Sequence, residues 1–116
     1  MQFSESLKKN HQFLSVYRGG KSYANKYMIM YVMENGTQRN RVGISVSKKV
    51  GNSVVRHRLT RLVRESYRLH EGMFNSGLDV VIVLRPSAAA IGYQEAESAL
   101  LHLVKLHKII HEDDSK

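Results

Sequence analysis

The chain has 116 residues, with 18 Lys and Arg against 10 Asp and Glu and no cysteine, which gives a net charge of +8 and an isoelectric point near 9.9. This length allows a single domain over residues 1–116, and the apolar fraction of 42% suffices for a folded core. Without cysteine the chain has no disulfides, thiolate metal sites or thiol nucleophiles. No apolar run approaches the roughly 20 residues that cross a bilayer, so we expect a cytoplasmic protein. Because the net charge is strongly positive, we expect this protein to bind a polyanion.

The first predicted element is a short helix near the start of the chain. Residues Asn10–Arg18 precede a Gly19-Gly20 pair that is typical of a helix end. Phe13 and Tyr17 are four residues apart and therefore share one face of this helix. We expect the ordered fold to extend from about residue 7 to residue 110.

Two strands are predicted next. Residues 26–33 are rich in aromatic and branched side chains, and the Asn35-Gly36 pair that follows them is a strong hairpin signal. Residues 41–47 alternate between apolar and other side chains. This alternation predicts a strand whose core-facing residues are Val42, Ile44 and Val46.

A long amphipathic helix is predicted from the cap residue Asn52 to about Leu69. At 3.6 residues per turn, a mostly apolar stripe lies on one side of this helix and the arginines lie on the other. The predicted core stripe comprises Val55, Leu59, Leu62, Val63, Ser66 and Leu69. The arginine face comprises Arg56, Arg58, Arg61, Arg64 and Arg68.

The rest of the chain supplies a buried strand and a last helix. Residues 78–84 form a near-continuous apolar run that is typical of a strand covered on both faces, and Pro86 ends it. Residues 92–110 have apolar side chains at helical spacing and precede a polar tail over residues 112–116. The order helix, strand, strand, helix, strand, helix predicts an α/β sandwich, an α+β fold with helices packed on a small sheet.

The excess positive charge is concentrated in one segment. Residues 39–68 hold nine Lys or Arg and the single acid Glu65, whereas the other 86 residues hold nine of each sign. Surface helices usually mix charge signs, but Arg61, Arg64 and Arg68 repeat along one face. Like charges on one face repel each other unless a polyanion is present, and the planar guanidinium suits phosphate oxygens. We favour nucleic-acid binding over a merely solvated helix face.

Five aromatic side chains form a second group in the first third of the chain. Packing in the core and stacking on unpaired bases are both open to them. If the first long strand is regular, Tyr27 and Tyr31 point to one face. The five residues are Phe13, Tyr17, Tyr23, Tyr27 and Tyr31.

No motif for metal binding or protein-based catalysis stands out. His107 and His111 have a spacing that can hold a metal, but no acid completes the site, and a helix end favours cationic histidine. We therefore expect both histidines on the surface. No Ser/His/Asp set, carboxylate pair or acidic nuclease cluster is present, so we expect no catalytic residue and no cofactor bound by a protein motif.

Residues 48–65, KKVGNSVVRHRLTRLVRE, strongly resemble the signature of the bacterial ribonuclease P protein component, which carries an Arg-Asn-Arg element on a basic helix. The resemblance covers roughly residues 7–107 and includes LKKNHQF, GGKSYANKYMIMY, RVGISVS and DVVIVLRPSA. His57 stands at the central Asn of the element. Histidine can donate or accept a hydrogen bond and can stack, so we expect its role to be kept and its RNA contact to depend on pH.

The resemblance implies a protein subunit of the ribonucleoprotein that removes the 5′ leader from precursor tRNA, with hydrolysis and its Mg²⁺ belonging to the RNA subunit. It implies that the isolated protein is inactive, and it implies no protein partner. The residues expected to face the RNA subunit are Lys48, Lys49, Asn52, Arg56, His57, Arg58, Arg61, Arg64 and Arg68. The residues expected in a leader cleft between the first helix and the sheet are Phe13, Tyr17, Tyr27 and Tyr31.

The resemblance also implies a mostly antiparallel sheet with one parallel, left-handed strand-helix-strand crossover, a fold shared with a domain of a small-subunit ribosomal protein. Crossovers of this kind are otherwise right-handed. Two other functions stay open: a structural RNA-binding protein such as a ribosomal protein, and a DNA-binding module with the arginine helix in a major groove. The arginine face has few Asn or Gln base readers, which counts against DNA.

Overall fold

A computed structural model describes residues 4–109 as one five-stranded sheet with helices on both faces. The strands are β1 (Ser4–Ser6), β2 (Lys21–Ala24), β3 (Met28–Glu34), β4 (Asn40–Ser45) and β5 (Leu78–Leu84). The helices are α1 (Asn10–Gly19), α2 (Ser53–His70) and α3 (Tyr93–His107), with short 3₁₀ helices at Glu71–Met73 and Pro86–Ala88. The predicted α/β sandwich and its three helices are confirmed. Residues 110 and 112–116, predicted as a helix end and a polar tail, lie outside the described residues.

The central strand is β5, which is covered from both sides. The strand order is β1-β4-β5-β3-β2, so β5 pairs in parallel with β4 and antiparallel with β3. On one face, Val80 and Ile82 join the core formed with α2 and α3. On the other face, Val81 and Val83 pack in a smaller core with Val16 of α1. The predicted two-sided burial of this strand is confirmed.

The predicted hairpin between β3 and β4 is wrong, because β5 lies between these two strands. The turn signal itself is local and correct: Gly36 has a φ of +74°, and the Asn35 side chain accepts a hydrogen bond from the Thr37 N–H at 2.9 Å. Strand pairing, however, depends on β5 and not on this turn. The backbone groups of a strand buried on both faces need partners along both edges, and β5 obtains them by separating β3 from β4.

The sequence pattern does not predict the two edge strands. Since β1 is parallel to β4 and β2 is antiparallel to β3, the sheet has two parallel and two antiparallel pairs and is not mostly antiparallel. The three residues of β1 precede the predicted start of the fold and show no apolar alternation. Their place is held by tertiary contacts, including a buried hydrogen bond of 2.8 Å between the Ser4 and Tyr67 hydroxyl groups.

Two crossovers connect parallel strands, β1 to β2 through α1 and β4 to β5 through α2. Both run across the sheet in the same direction, but α1 and α2 cover opposite faces. Crossovers related in this way have opposite hands, so one of the two is left-handed, against the general rule. That the left-handed one is β4-α2-β5 stays a prediction.

The helix α2 begins as predicted, with the Asn52 side chain accepting a hydrogen bond from the Val55 N–H at 3.0 Å. Its buried side is rotated relative to the predicted stripe. Leu59 and Val63 are fully buried as expected, but Leu69 is 55% exposed and Tyr67 is fully buried. The reason is β1, whose Ser4 hydroxyl provides the hydrogen-bond partner that a buried tyrosine needs.

Gly43 sets how closely α1 approaches the sheet. A Cβ atom at Gly43 would lie 2.6 Å from two ring atoms of Phe13 and 3.1 Å from the Cβ of Leu7. We predict that Gly43→Ala lowers the free energy of unfolding by about 1–3 kcal/mol, because the ring must shift. Ser45→Ala, on the same face of β4, is the control and should change it by less than about 0.5 kcal/mol. Urea denaturation measures both, and equal stability of the two variants would contradict close packing at Gly43.

Candidate nucleic-acid interface

The helix α2 presents a stripe of exposed side chains along its solvent face, which we call the arginine stripe: His57, Arg61, Arg64 and Arg68. Their spacing of three and four residues places them one above the other. Within residues 4–109, Arg61 and Arg64 have neither an ion-pair partner nor a hydrogen bond from their side chains. Their guanidinium donors are therefore open to a phosphate.

Arg68 differs from its neighbours because Glu65 already holds it. Its Nε donates to Glu65 Oε1 at 3.0 Å, and its Nη2 donates to Glu65 Oε2 at 2.6 Å. These hydrogen bonds lower the pKa of the Glu65 carboxyl and raise the pKa of Arg68. Both groups are therefore ionised at neutral pH.

Two further arginines of α2 donate to backbone carbonyls. Arg58 donates from Nη1 to the Ile91 carbonyl and from Nη2 to the Ala89 carbonyl, both at 2.7 Å. Arg56 donates from Nη1 to the Gly51 carbonyl at 2.8 Å. The sequence pattern groups both with the arginine face, whereas the structure uses them to fasten the N-terminal part of α2 to adjacent loops. Arg58 in particular joins α2 to the segment that leads into α3.

The remaining predicted residues of this surface lie just before α2. Lys48 and Lys49 are exposed in the turn after β4, and Asn52 is exposed at the helix cap. The Asn52 oxygen is occupied by the cap, which leaves its amide group available as a donor. This turn extends the basic surface beyond the first turn of the helix.

A hollow of about 450 Å³ lies beside the arginine stripe. Ser6 of β1 lines it together with four residues of α2: Arg61, Arg64, Glu65 and Arg68. A phosphate-bearing strand in this hollow would have cationic groups along one wall.

Three aromatic side chains meet on the opposite face of the sheet, and we call them the aromatic cluster: Phe13 and Tyr17 of α1, and Tyr31 of β3. The Tyr17 and Tyr31 rings meet edge to face with centroids 5.0 Å apart, and the Phe13 and Tyr17 centroids are 6.4 Å apart. All three side chains are partly buried against the smaller core. The cluster is thus anchored in the fold and still reaches the surface.

The prediction that Tyr27 shares a face with Tyr31 is wrong, because β3 begins only at Met28. Tyr27 and Tyr23 both pack against the larger core, on the α3 side of the sheet. Asn25 imposes this arrangement, since its side-chain oxygen accepts hydrogen bonds from the backbone N–H groups of Tyr27 and Met28 at 3.1 Å. The structure therefore brings together Phe13, Tyr17 and Tyr31 without Tyr27.

Part of the positive charge counted in residues 39–68 is neutralised. Asp79, which is 1% exposed, accepts hydrogen bonds from Arg41 Nε at 2.8 Å and Nη2 at 2.6 Å, and from the Asn35 amide at 2.9 Å. The hydrogen bonds to the Asp79 carboxylate raise the pKa of Arg41. Arg39 pairs with Glu5 at 3.2 Å. The one acid within the apolar run of β5 is the sequence signal that points to this buried pair.

His107 is partly buried, contrary to the surface position predicted for it. Its Nε2 donates to the Met30 carbonyl at 2.8 Å, its ring meets the Tyr23 ring with centroids 4.8 Å apart, and burial lowers its pKa. His111 lies outside the described residues. Between residues 4 and 109, no group of three His, Asp or Glu is arranged to hold a metal ion. None of the helices described is long and apolar enough to cross a membrane.

A family model described as Ribonuclease P matches residues 1–108 of the chain. The chain belongs to the ribonuclease P protein family. It is the protein component of a ribonucleoprotein endoribonuclease that acts with an RNA subunit in tRNA 5′ processing. This membership sets aside the ribosomal and DNA-binding alternatives.

Relatives and solved structures agree with this assignment. The ribonuclease P protein component of Lachnoclostridium phytofermentans is 64% identical over 107 residues, covering 92% of each chain. That of Alkaliphilus metalliredigens is 51% identical over 110 residues, covering 95% of this chain and 99% of that one. The RNase P protein of Staphylococcus aureus matches with a TM-score of 0.85 at 32% identity, covering 91% of this chain and 97% of that one. For the protein from Thermotoga maritima, the TM-score is 0.80 at 31% identity, with coverages of 88% and 96%.

The contacts of Arg58 predict a structural effect that other arginines of α2 do not share. We predict that Arg58→Ala lowers the free energy of unfolding by about 1.5–3 kcal/mol, because it removes two charge-assisted hydrogen bonds. Arg61→Ala removes the same charge from an open side chain and should change stability by less than about 0.5 kcal/mol. Arg58→Lys should not restore stability, since an ammonium cannot reproduce the planar fork. Thermal and urea unfolding measure these differences, and equal stability of the two alanine variants would contradict the stabilising role of the Arg58 hydrogen bonds.

Proposed function

We propose that the arginine stripe, with Lys48, Lys49 and Asn52, binds the RNA subunit, and that the aromatic cluster binds the unpaired 5′ leader of precursor tRNA. The arrangement of the two surfaces carries this proposal. They lie on opposite faces of one sheet, yet both adjoin the same edge: Ser6 of β1 lines the hollow beside the stripe, and Leu7 packs with Phe13. A protein placed between two RNA molecules needs two surfaces of this kind.

The two surfaces suit two different tasks. Open guanidinium groups bind phosphates without reading sequence, and they offset the repulsion between an RNA enzyme and an RNA substrate. Aromatic rings stack on any base, at about 1–3 kcal/mol per base, so they tolerate leaders of different sequence. Precursor tRNA binding at Phe13, Tyr17 and Tyr31 is thus proposed as largely independent of leader sequence.

The chemical step is assigned to the RNA subunit. The proposed roles of this chain are binding and positioning, and the Mg²⁺ that hydrolysis needs is held by the RNA partner. The proposed setting is the bacterial cytoplasm. Because cations on the protein and Mg²⁺ both screen phosphate repulsion, the protein should matter most at low Mg²⁺ concentration.

Reconstitution tests the proposal directly. Cleavage of precursor tRNA is measured with the protein alone, with the RNA subunit alone and with both, at low and high Mg²⁺. We expect no cleavage by the protein alone and strong stimulation of the RNA subunit at low Mg²⁺. Cleavage by the purified protein, or no stimulation, would contradict the proposed division of roles.

Salt titration of binding to the RNA subunit tests where the RNA-subunit surface lies. The double variant Arg61→Ala, Arg64→Ala should weaken RNA-subunit binding and reduce the slope of log K against log salt by about 0.7–0.9 per lost contact. Arg18→Ala with Lys21→Ala removes the same charge near the opposite edge of the sheet and is the matched control. Equal salt slopes for the two double variants would show that the arginine stripe is not part of the RNA-subunit interface.

Leader binding is tested by Tyr31→Leu, which removes an aromatic face while keeping much of the packing volume. We predict a loss of affinity for precursor tRNA of about 1–3 kcal/mol, with little loss for mature tRNA, because only the precursor supplies unpaired leader bases to stack. Tyr27→Leu, on the other face of the sheet, is the control and should leave the difference between the two substrates unchanged. Fluorescence anisotropy with labelled tRNAs measures both, and an equal loss for both substrates would show that Tyr31 acts through packing.

A further inference from the structure

Glu65, the single acid beside the arginine stripe, suggests control of phosphate binding. We propose that Glu65 is an internal competitor for phosphate: it occupies Arg68 in the free protein and has to release it before Arg68 can bind RNA. This inference rests on the proposed function of the stripe. Its consequence is that Arg68 becomes a phosphate ligand only for an RNA that also engages the neighbouring arginines.

The geometry of the pair is that of a phosphate contact. Two nitrogens of Arg68 meet two oxygens of Glu65, at 3.0 and 2.6 Å, which is the bidentate arrangement that a guanidinium forms with a phosphate. The same donors cannot serve both partners at once. A phosphate therefore gains Arg68 only when Glu65 leaves it.

The pair is accessible enough to exchange. The side chains of Arg68 and Glu65 are 48% and 49% exposed, and ion pairs at such positions are weak in water. Both residues line the 450 Å³ hollow beside β1, so a phosphate entering it meets the Glu65 carboxylate as well as the guanidinium groups. That carboxylate repels an isolated phosphate.

The neighbouring open arginines provide the means of displacement. Arg61 and Arg64 line the same hollow, and Arg61 lies about 10 Å from Arg68 along the helix axis at 1.5 Å per residue. An RNA backbone held at Arg61 and Arg64 brings its next phosphate to Arg68 at high effective concentration. A flexible strand without a fixed backbone path lacks this advantage.

The test is Glu65→Gln, with salt titrations of binding to the ribonuclease P RNA and to poly(U). We expect the ribonuclease P RNA to bind about two- to fivefold tighter with an unchanged salt slope, because it already takes Arg68 and no longer has to displace Glu65. Poly(U) should gain less affinity, but its salt slope should become steeper by about 0.7, because it now contacts Arg68. Glu34→Gln makes the same charge change at the end of β3 and is the matched control, for which neither gain is expected. Circular dichroism melting confirms that the variants remain folded.

Arg68 provides the decisive comparison. Adding Arg68→Ala to Glu65→Gln should abolish the gain on poly(U), whereas Arg68→Ala alone should change poly(U) binding little. A Glu65→Gln variant that behaves like Glu34→Gln, a gain that survives without Arg68, or a larger gain in affinity for poly(U) than for the ribonuclease P RNA would overturn the proposal. Failure of the proposed function looks different: Arg61→Ala with Arg64→Ala would then leave ribonuclease P RNA binding unchanged, while the poly(U) measurements would still report on Glu65.

Discussion

The burial of β5 on both faces is the constraint on which the rest of the structure depends. One strand serves two cores, with Val80 and Ile82 on the side of α2 and α3, and Val81 and Val83 on the side of α1. Its backbone groups then need partners along both edges, which separates β3 from β4 and produces the mixed sheet. The same constraint places the aromatic cluster and the arginine stripe on opposite faces, because their helices cover opposite sides of this strand.

The arginines of this small domain have two roles: some hold the fold together, and others remain open on the surface. Arg58 and Arg56 fasten α2 to backbone carbonyls, and Arg41 compensates the buried Asp79. Arg61 and Arg64 are open along the surface of the helix. A guanidinium whose donors are already used inside the fold is a poor phosphate ligand, so the number of arginines overstates the binding capacity of the surface. The net charge of the chain is therefore a coarser guide than the partners of each side chain.

Local signals in the sequence predicted local structure well. The Asn52 cap, the Gly19-Gly20 stop and the apolar period of α2 depend on contacts within a few residues, and each is found in the structure. The hairpin and the shared face of Tyr27 and Tyr31 were predicted incorrectly, because strand order and the start of β3 depend on distant partners. The edge strands β1 and β2 carry too few residues to show a period at all.

The sequence by itself determined the three helices, the buried strand, the basic segment and, through the resemblance of residues 48–65, the family. These properties can be predicted from the order of the residues, since each depends on spacing along the chain. Tertiary structure alone decided which arginines are open, which aromatic rings meet and which edge both surfaces share. The physical reason is that these properties depend on partners far apart in the chain, such as Arg58 with Ala89 and Ile91, or Tyr67 with Ser4. No helical or strand period records such partners, because they are brought together only when β5 is enclosed by both layers.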